Sequence, residues 1–173
     1  MGDSATAPEI RTAGPRDFEA VGELTLEVYV GEGYVRRHSP YVRELADTPH
    51  RAEHAQILVA EHEGRVLGSL TVARPASPYA DIARPGELEF RMLAVSKAAR
   101  GLGVGTALVD KVIEIARAED FDAVVLTTMP AMLDARRIYD RLGFAAVPER
   151  DWQTDAGDPL TVLRLELAAS RGN

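Results

Sequence analysis

The chain contains no cysteine. That excludes disulfides, thiolate metal ligands and a cysteine nucleophile, and it fits a reducing, cytoplasmic setting. No apolar run approaches the roughly 20 residues that a membrane span needs. The opening MGDSATAPEI has no basic region followed by an apolar stretch, so no secretory signal is expected. Positive charge is also in short supply. A net charge of −7 sets the whole-molecule field against nucleic acid and anionic membrane surfaces, and neither is expected as a partner. An anionic ligand therefore has to be held locally, by backbone donors or a few cations. No internal repeat and no linker divides the 173 residues, so one α/β domain over residues 9–167 is expected between loose tails at 1–8 and 168–173. The bias toward Ala, Arg and Val suits a bacterial chain.

What is present reads as alternating strands and helices. EIRTAG suggests a strand, and PRDFEAVGELTLEVYV a helix with Pro15 at its start and Phe18, Val21, Leu24 or Thr25, and Val28 at helical spacing. GEGYVRRHSP reads as a loop, and YVRELADT as a short helix stopped before Pro49. Two strand-like runs flank Glu63-Gly64, a hairpin signature, and Gly68 in the second run implies a bulge or a close backbone approach. In ELEFRMLAV, Leu88, Phe90, Met92 and Ala94 alternate with Glu87, Glu89, Arg91 and Leu93, so Glu89 is expected to share a face with Leu93 and Val95. Val104, Ala107, Leu108, Val112 and Ile115 form a helical stripe. DAVVLTT follows as a buried strand, then a helix striped by Ala131, Ala135, Ile138 and Leu142 and capped by Gly143, then the strands FAAVPE and LTVLRLEL. HRAEH, His50 to His54, matches an inverted zinc-protease pattern. It follows Pro49 and leads straight into a strand, so it reads as a short exposed segment and no metal is expected.

The sharpest motif is Arg100-Gly101-Leu102-Gly103-Val104-Gly105-Thr106, set between a strand and a helix. Unpaired N–H groups at a helix start bind phosphate, and glycines let a ligand lie directly on them. Arg100 adds a local cation. A Walker loop requires Gly-Lys-Ser/Thr, and a dinucleotide fingerprint requires Gly-x-Gly-x-x-Gly after a first strand. Neither fits. A plain glycine-rich turn is the competing explanation.

With these residues the chain resembles the GNAT superfamily of acyl-CoA-dependent N-acyltransferases. Residues 100–105 fit that family's Arg/Gln-x-x-Gly-x-Gly/Ala loop, ELEFRMLAV its central strand, and ARRIYDRLGF its late helix. AEHEGRVLGSL is similar to its second and third strands. The resemblance implies an α/β (α+β) fold: a central mixed, mostly antiparallel sheet of six or seven strands flanked by about four helices. It implies acetyl-CoA as cosubstrate, with backbone groups of Leu93, Ala94 and Val95 along the pantetheine, Arg100 to Thr106 around the diphosphate, and Ala135 nearby. Met132 stands where the family often has Asn.

Acetyl transfer from acetyl-CoA to an amine by direct attack in a ternary complex needs a base, an oxyanion donor and an acid. Glu89 is the candidate base, with Glu87 as its neighbour on the same face; ion pairing to Arg91 or an adjacent strand is the alternative role. Tyr139 is an ordinary core tyrosine by spacing, and the resemblance makes it the acid facing the sulfur. The N–H of Val95 or Leu93 would meet the oxyanion. Tyr34, Arg36, Arg37 and His38 lie in the loop that the resemblance places over the acceptor, where two arginines would suit a carboxylate-bearing amine. Trp152 either walls that pocket or joins a dimer contact, a homodimer being a family expectation. A small-molecule amine is the expected acceptor; a protein N-terminus or lysine, or a non-catalytic acyl-CoA sensor, are the alternatives.

Overall fold

In the computed structural model, which describes residues 7–168, eight strands build one open sheet. β1 (Glu9–Thr12), β2 (Gln56–His62), β3 (Arg65–Ala73) and β4 (Glu87–Val95) pair antiparallel in that order. β5 (Ala123–Thr128) lies parallel to β4. The two-residue strands β6 (Ala145–Ala146) and β7 (Trp152–Gln153), together with β5, pair antiparallel with β8 (Pro159–Glu166). The expected class is therefore observed, with β7 as an addition and FAAVPE reduced to Ala145–Ala146. The expected tails, apart from residues 7, 8 and 168, lie outside the described residues.

Five helices cover the sheet. α4 (Val104–Ala118) and α5 (Leu133–Leu142) lie on one face, where Leu108, Val112 and Tyr139 join Leu58, Leu70, Leu88 and Phe90 in the main core. On the other face α1 (Phe18–Tyr29) packs Leu24, Val28 and Tyr29 against Met92 and Ala94. α2 (Tyr41–Ala46) and α3 (Thr48–His54) complete that side. The hairpin turn at Glu63-Gly64 is present, with both residues at positive φ as a two-residue turn requires. Gly68 marks a close approach: a Cβ there would lie 2.7 Å from Cγ1 of Val104. The seam between β3 and α4 depends on that missing side chain.

Pro49 does not end a helix but opens one. It sits in the first turn of α3, where a missing N–H costs nothing, and Asp47 caps the same turn by accepting from the His50 N–H at 3.2 Å. HRAEH is thus helical and not wholly exposed. Arg51 is buried and donates to the carbonyls of Glu44 and Leu45 at 3.1 and 3.2 Å, tying α3 to the end of α2. His50 Nδ1 lies 2.6 Å from the Tyr79 hydroxyl. Among the described residues no three acidic, histidine or cysteine side chains converge as metal ligands, and no helix is long and apolar enough to cross a membrane.

Arg11 locks β1 to the turn before α1. It donates to both carboxylate oxygens of Asp17 at 2.7 and 2.9 Å, and the Gly14 N–H adds a third bond at 2.8 Å. The Arg11 bonds in particular hold the buried Asp17 carboxyl down at about 2. A depressed carboxyl stabilises the fold above its unfolded value and loses that contribution as pH falls through its native one. Asp17→Asn is therefore expected to cost on the order of 2 kcal/mol at neutral pH. It should also flatten the decline in stability between about pH 4 and pH 2, checked by urea melts across that range.

Candidate active site

β4 holds the site because its regular alternation breaks. Thr71 pairs with Arg91 and Ser69 with Ala94, so two steps of β3 span three of β4. The extra residue is accommodated at Met92, whose φ of 58° is a left-handed value that costs a non-glycine residue about 1–2 kcal/mol. Arg91 and Met92 consequently face the same side, toward α1 and α2, and every later residue is flipped. Leu93 and Val95 turn toward α4 and α5, joining the side of Leu88 and Phe90. The expectation that Glu89 shares a face with Leu93 and Val95 is thus corrected by a bulge.

The bulge also opens the sheet. Pairing between β4 and β5 stops at Phe90–Leu126, whereas β5 stays paired to β8 as far as Thr128. The Ser96 N–H donates to Leu67 of β3 at 2.9 Å. By antiparallel alternation, the backbone groups of Val95 and Leu93 point away from β3 into the gap beside β5. A narrow cleft occupies this gap, lined by Arg91, Leu93, Thr127, Thr128, Met132 and Tyr139 among others.

That cleft shares Leu93, Met132 and Ala135 with an open cavity of about 960 Å³. Arg100, Gly101, Gly103, Val104, Gly105 and Thr106 line the cavity from the glycine loop and the first turn of α4. Leu102, at 67% exposure, does not line it, and Ala94 faces α1. Gly101 and Gly103 adopt φ of 82° and 78°, and a Cβ on either would meet no protein atom within 4 Å. Their missing side chains keep the cavity wall open. Gly105 has a different reason: a Cβ there would lie 2.6 Å from Cδ1 of Ile138, so it admits α5 against α4.

Sequence reading missed the far wall. Glu32, Asp110, Asp134, Arg137, Ile138 and Arg141 also line the cavity. Arg141 donates to the Thr106 hydroxyl at 3.4 Å, and Arg137 lies 3.8 Å from Asp134. Glu32, from the loop after α1, is bound to Arg100. An Arg-rich turn of α5 facing a glycine loop was a signal available in ARRIYDRLGF; nothing in GEGYVRRHSP distinguished Glu32.

Tyr139 stands where the cleft meets the core. Its ring packs 5.9 Å from Phe90 and 5.8 Å from Phe144. Its hydroxyl has no hydrogen-bond partner among the described residues, and burial pushes its pKa above the ordinary tyrosine value. Such a hydroxyl stays protonated at neutral pH and is available as a donor. Met132 caps no N–H of α5 with its side chain; it packs beside Tyr29 and Met92 at the junction of cleft and cavity.

The two carboxylates of β4 are sealed. Glu89, the candidate base, lines neither the cleft nor the cavity: it is fully buried and accepts from the N–H groups of Asp81, Ile82 and Ala83 at 3.2, 2.9 and 3.0 Å. Burial raises its pKa, and those three bonds pull it partly back. Glu87 accepts two bonds from Arg150 at 2.8 and 2.9 Å and one from Arg164 at 3.1 Å. Burial opposes its charge, but the arginines and the Arg84 N–H outweigh it and hold the carboxyl low. Arg91 does not pair with Glu89. It bridges Glu44 at 3.1 Å and Asp81 at 3.2 Å, and donates to the Tyr41 hydroxyl at 3.1 Å. Arg91 is thus a strut joining α2 to the loop that Glu89 anchors.

Of the expected acceptor residues, Tyr34 lines the cavity, whereas Arg36, Arg37 and His38 are exposed and line neither space. Trp152 lines neither space; its indole donates to the hydroxyl of Thr127, a cleft residue, at 3.2 Å.

The overall fold is shared with solved acetyltransferase structures. A GNAT-family acetyltransferase from Staphylococcus aureus Mu50 superposes with a TM-score of 0.72 at 19% identity, over 92% of this chain and all of that one. A putative acetyltransferase from Salmonella typhimurium, solved with acetyl-CoA, gives a TM-score of 0.66 at 22% identity, over 97% of this chain and 98% of that one. Residues 19–144 match the family described as Acetyltransferase (GNAT) family, and the chain belongs to it. Among curated proteins it is 36% identical over 93 residues to a probable N-acetyltransferase, camello, of Xenopus tropicalis, covering 54% of this chain. It is 37% identical over 86 residues to the N-acetylaspartate synthetase of Danio rerio, covering 48% of this chain. The matches span 40% and 30% of those relatives' own lengths.

Proposed function

We propose that the protein transfers an acetyl group from acetyl-CoA to the amine of a small molecule, by direct attack while both substrates are bound. The observation that carries this reading is the continuous path from the glycine-lined cavity to the cleft between β4 and β5. The residues fit the cosubstrate. Gly101 and Gly103 leave α4's first N–H groups open, Arg100 and Arg141 add charge, and Leu93 and Val95 offer strand-like bonds to an amide-bearing arm. Acetyl-CoA supplies the activated acetyl thioester. At its carbonyl the amine nitrogen forms the new C–N bond and the C–S bond breaks. The Val95 or Leu93 N–H steadies the oxyanion, Tyr139 gives its proton to the departing sulfur, and Glu89, once the 81–83 loop releases one of its oxygens, receives the amine proton through water. The zebrafish relative's name, N-acetylaspartate synthetase, supports a small acceptor that carries a carboxylate. A cytoplasmic location and a homodimer belong to the same proposal.

Tyr139→Phe tests the acid. Turnover is expected to fall about 100-fold with acetyl-CoA affinity unchanged. Unaltered turnover would return Tyr139 to the core. One observation favours a second reading, a non-catalytic acyl-CoA sensor: both oxygens of Glu89 are engaged by the loop at 81–83. A sensor would bind acetyl-CoA and be indifferent to every amine.

A further inference from the structure

Arg100, the cation of the glycine loop, is not waiting free for phosphate. Its guanidinium is held by the carboxylate of Glu32, and the two side chains are 34% and 15% exposed. That bond is the main reason the Arg100 charge is stabilised. Glu32 belongs to the loop between α1 and α2. Two residues on, Tyr34 also lines the cavity. The segment that leads to the acceptor side is thus fastened to the segment that leads to the diphosphate, across the cavity mouth.

We infer that Glu32 and Arg100 form a latch between the acceptor-side loop and the glycine loop, and that the diphosphate of acyl-CoA opens it. The inference rests on the reading that the glycine loop takes that diphosphate. Phosphate oxygens and the Glu32 carboxylate compete for one guanidinium, and like charges placed on it repel. The ligand has other donors, the N–H groups of the glycine loop and α4, whereas among the described residues Glu32 has no second ion-pair partner. Glu32 is the group that yields. Acyl-CoA binding then releases the Glu32 end of the loop, while buried Val35, whose N–H donates to the Tyr29 carbonyl at 2.8 Å, holds its base, so the acceptor side loosens only once the acyl donor is in place. Coupling of this kind is reciprocal: whatever holds the loop down weakens acyl-CoA, and acyl-CoA loosens the loop.

The latch makes a prediction opposite to that of a structural ion pair. In calorimetric titrations with CoA at low salt, Glu32→Gln is expected to bind roughly threefold to tenfold tighter than the wild type. In an Arg100→Gln background, the same Glu32→Gln change should have no such effect, because the guanidinium being contested is gone. Equal or weaker CoA binding by the single Glu32→Gln variant overturns the latch, as does a gain that persists without Arg100. If the wild-type protein binds no CoA, the diphosphate reading falls and the latch with it.

Discussion

Gly103→Val is expected to reduce CoA affinity at least about 100-fold while leaving a folded protein. Gly103 sits at the start of α4 with φ of 78°, and a Cβ there would meet no protein atom within 4 Å. The added Cβ therefore meets no protein atom, at a residue that lines the open cavity. A β-branched residue in the left-handed region costs about 1–2 kcal/mol, which a domain of this size can absorb. The larger loss falls on the ligand, whose phosphates would have to approach the N–H groups that the isopropyl group covers. Gly105→Val supplies the contrast. A Cβ at Gly105 would lie 2.6 Å from Cδ1 of Ile138, so that variant is expected to lower the melting temperature by several degrees as well as weaken binding. Titration calorimetry and thermal melts on the pair separate ligand obstruction from helix packing. Retained affinity in a folded Gly103→Val protein would remove the glycine loop from the binding site.

Glu89→Gln is expected to abolish the acidic limb of the pH–rate profile and to cut turnover about 100-fold. A base must be ionised to work, so the rate should fall as pH drops through its pKa. Burial raises the Glu89 carboxyl above the ordinary glutamate value, which places that limb on the neutral side of where an exposed glutamate would put it. The same residue anchors residues 81–83 through three N–H bonds, and the amide can accept at only one end. Some loss of thermal stability is therefore expected too. The two roles separate in the kinetics. If Glu89 is only an anchor, Glu89→Gln lowers the melting temperature and raises KM for the acceptor, while the shape of the pH profile stays as in the wild type. An unaltered limb would exclude Glu89 as the base.

Much of the frame was legible because its signals are local. Glu63-Gly64 announces its hairpin, the Val104–Leu108–Val112 stripe its helix, and Gly143, at φ of 93°, its cap. The bulge in β4 was not legible. Met92 and Leu93 are both apolar, so the residue pattern continues across the point where the chain flips, and no sequence signal marks a methionine at positive φ. The helical state of HRAEH was hidden by Pro49, which reads equally as a stop or a start until Arg51 is seen to bury itself against the end of α2. The sealing of Glu89 depends on three N–H groups of an irregular loop, a partner set with no composition of its own. Glu32 looked like any solvated loop carboxylate; only the fold brings it to Arg100, 68 residues away.

Bound acetyl-CoA is expected to react with an amine. CoA release, followed with a thiol reagent, tests it most directly, and a chain without cysteine gives no thiol background of its own. The panel should hold amino acids including aspartate, polyamines, aminoglycosides and basic peptides, each with acetyl-CoA and purified protein. The expected result is release that depends on one class of small amine, is strongest for amines carrying a carboxylate, and is lost in Gly103→Val. Acetyl-CoA shown to bind, with no release on any amine, would contradict the account and leave an acyl-CoA sensor in its place.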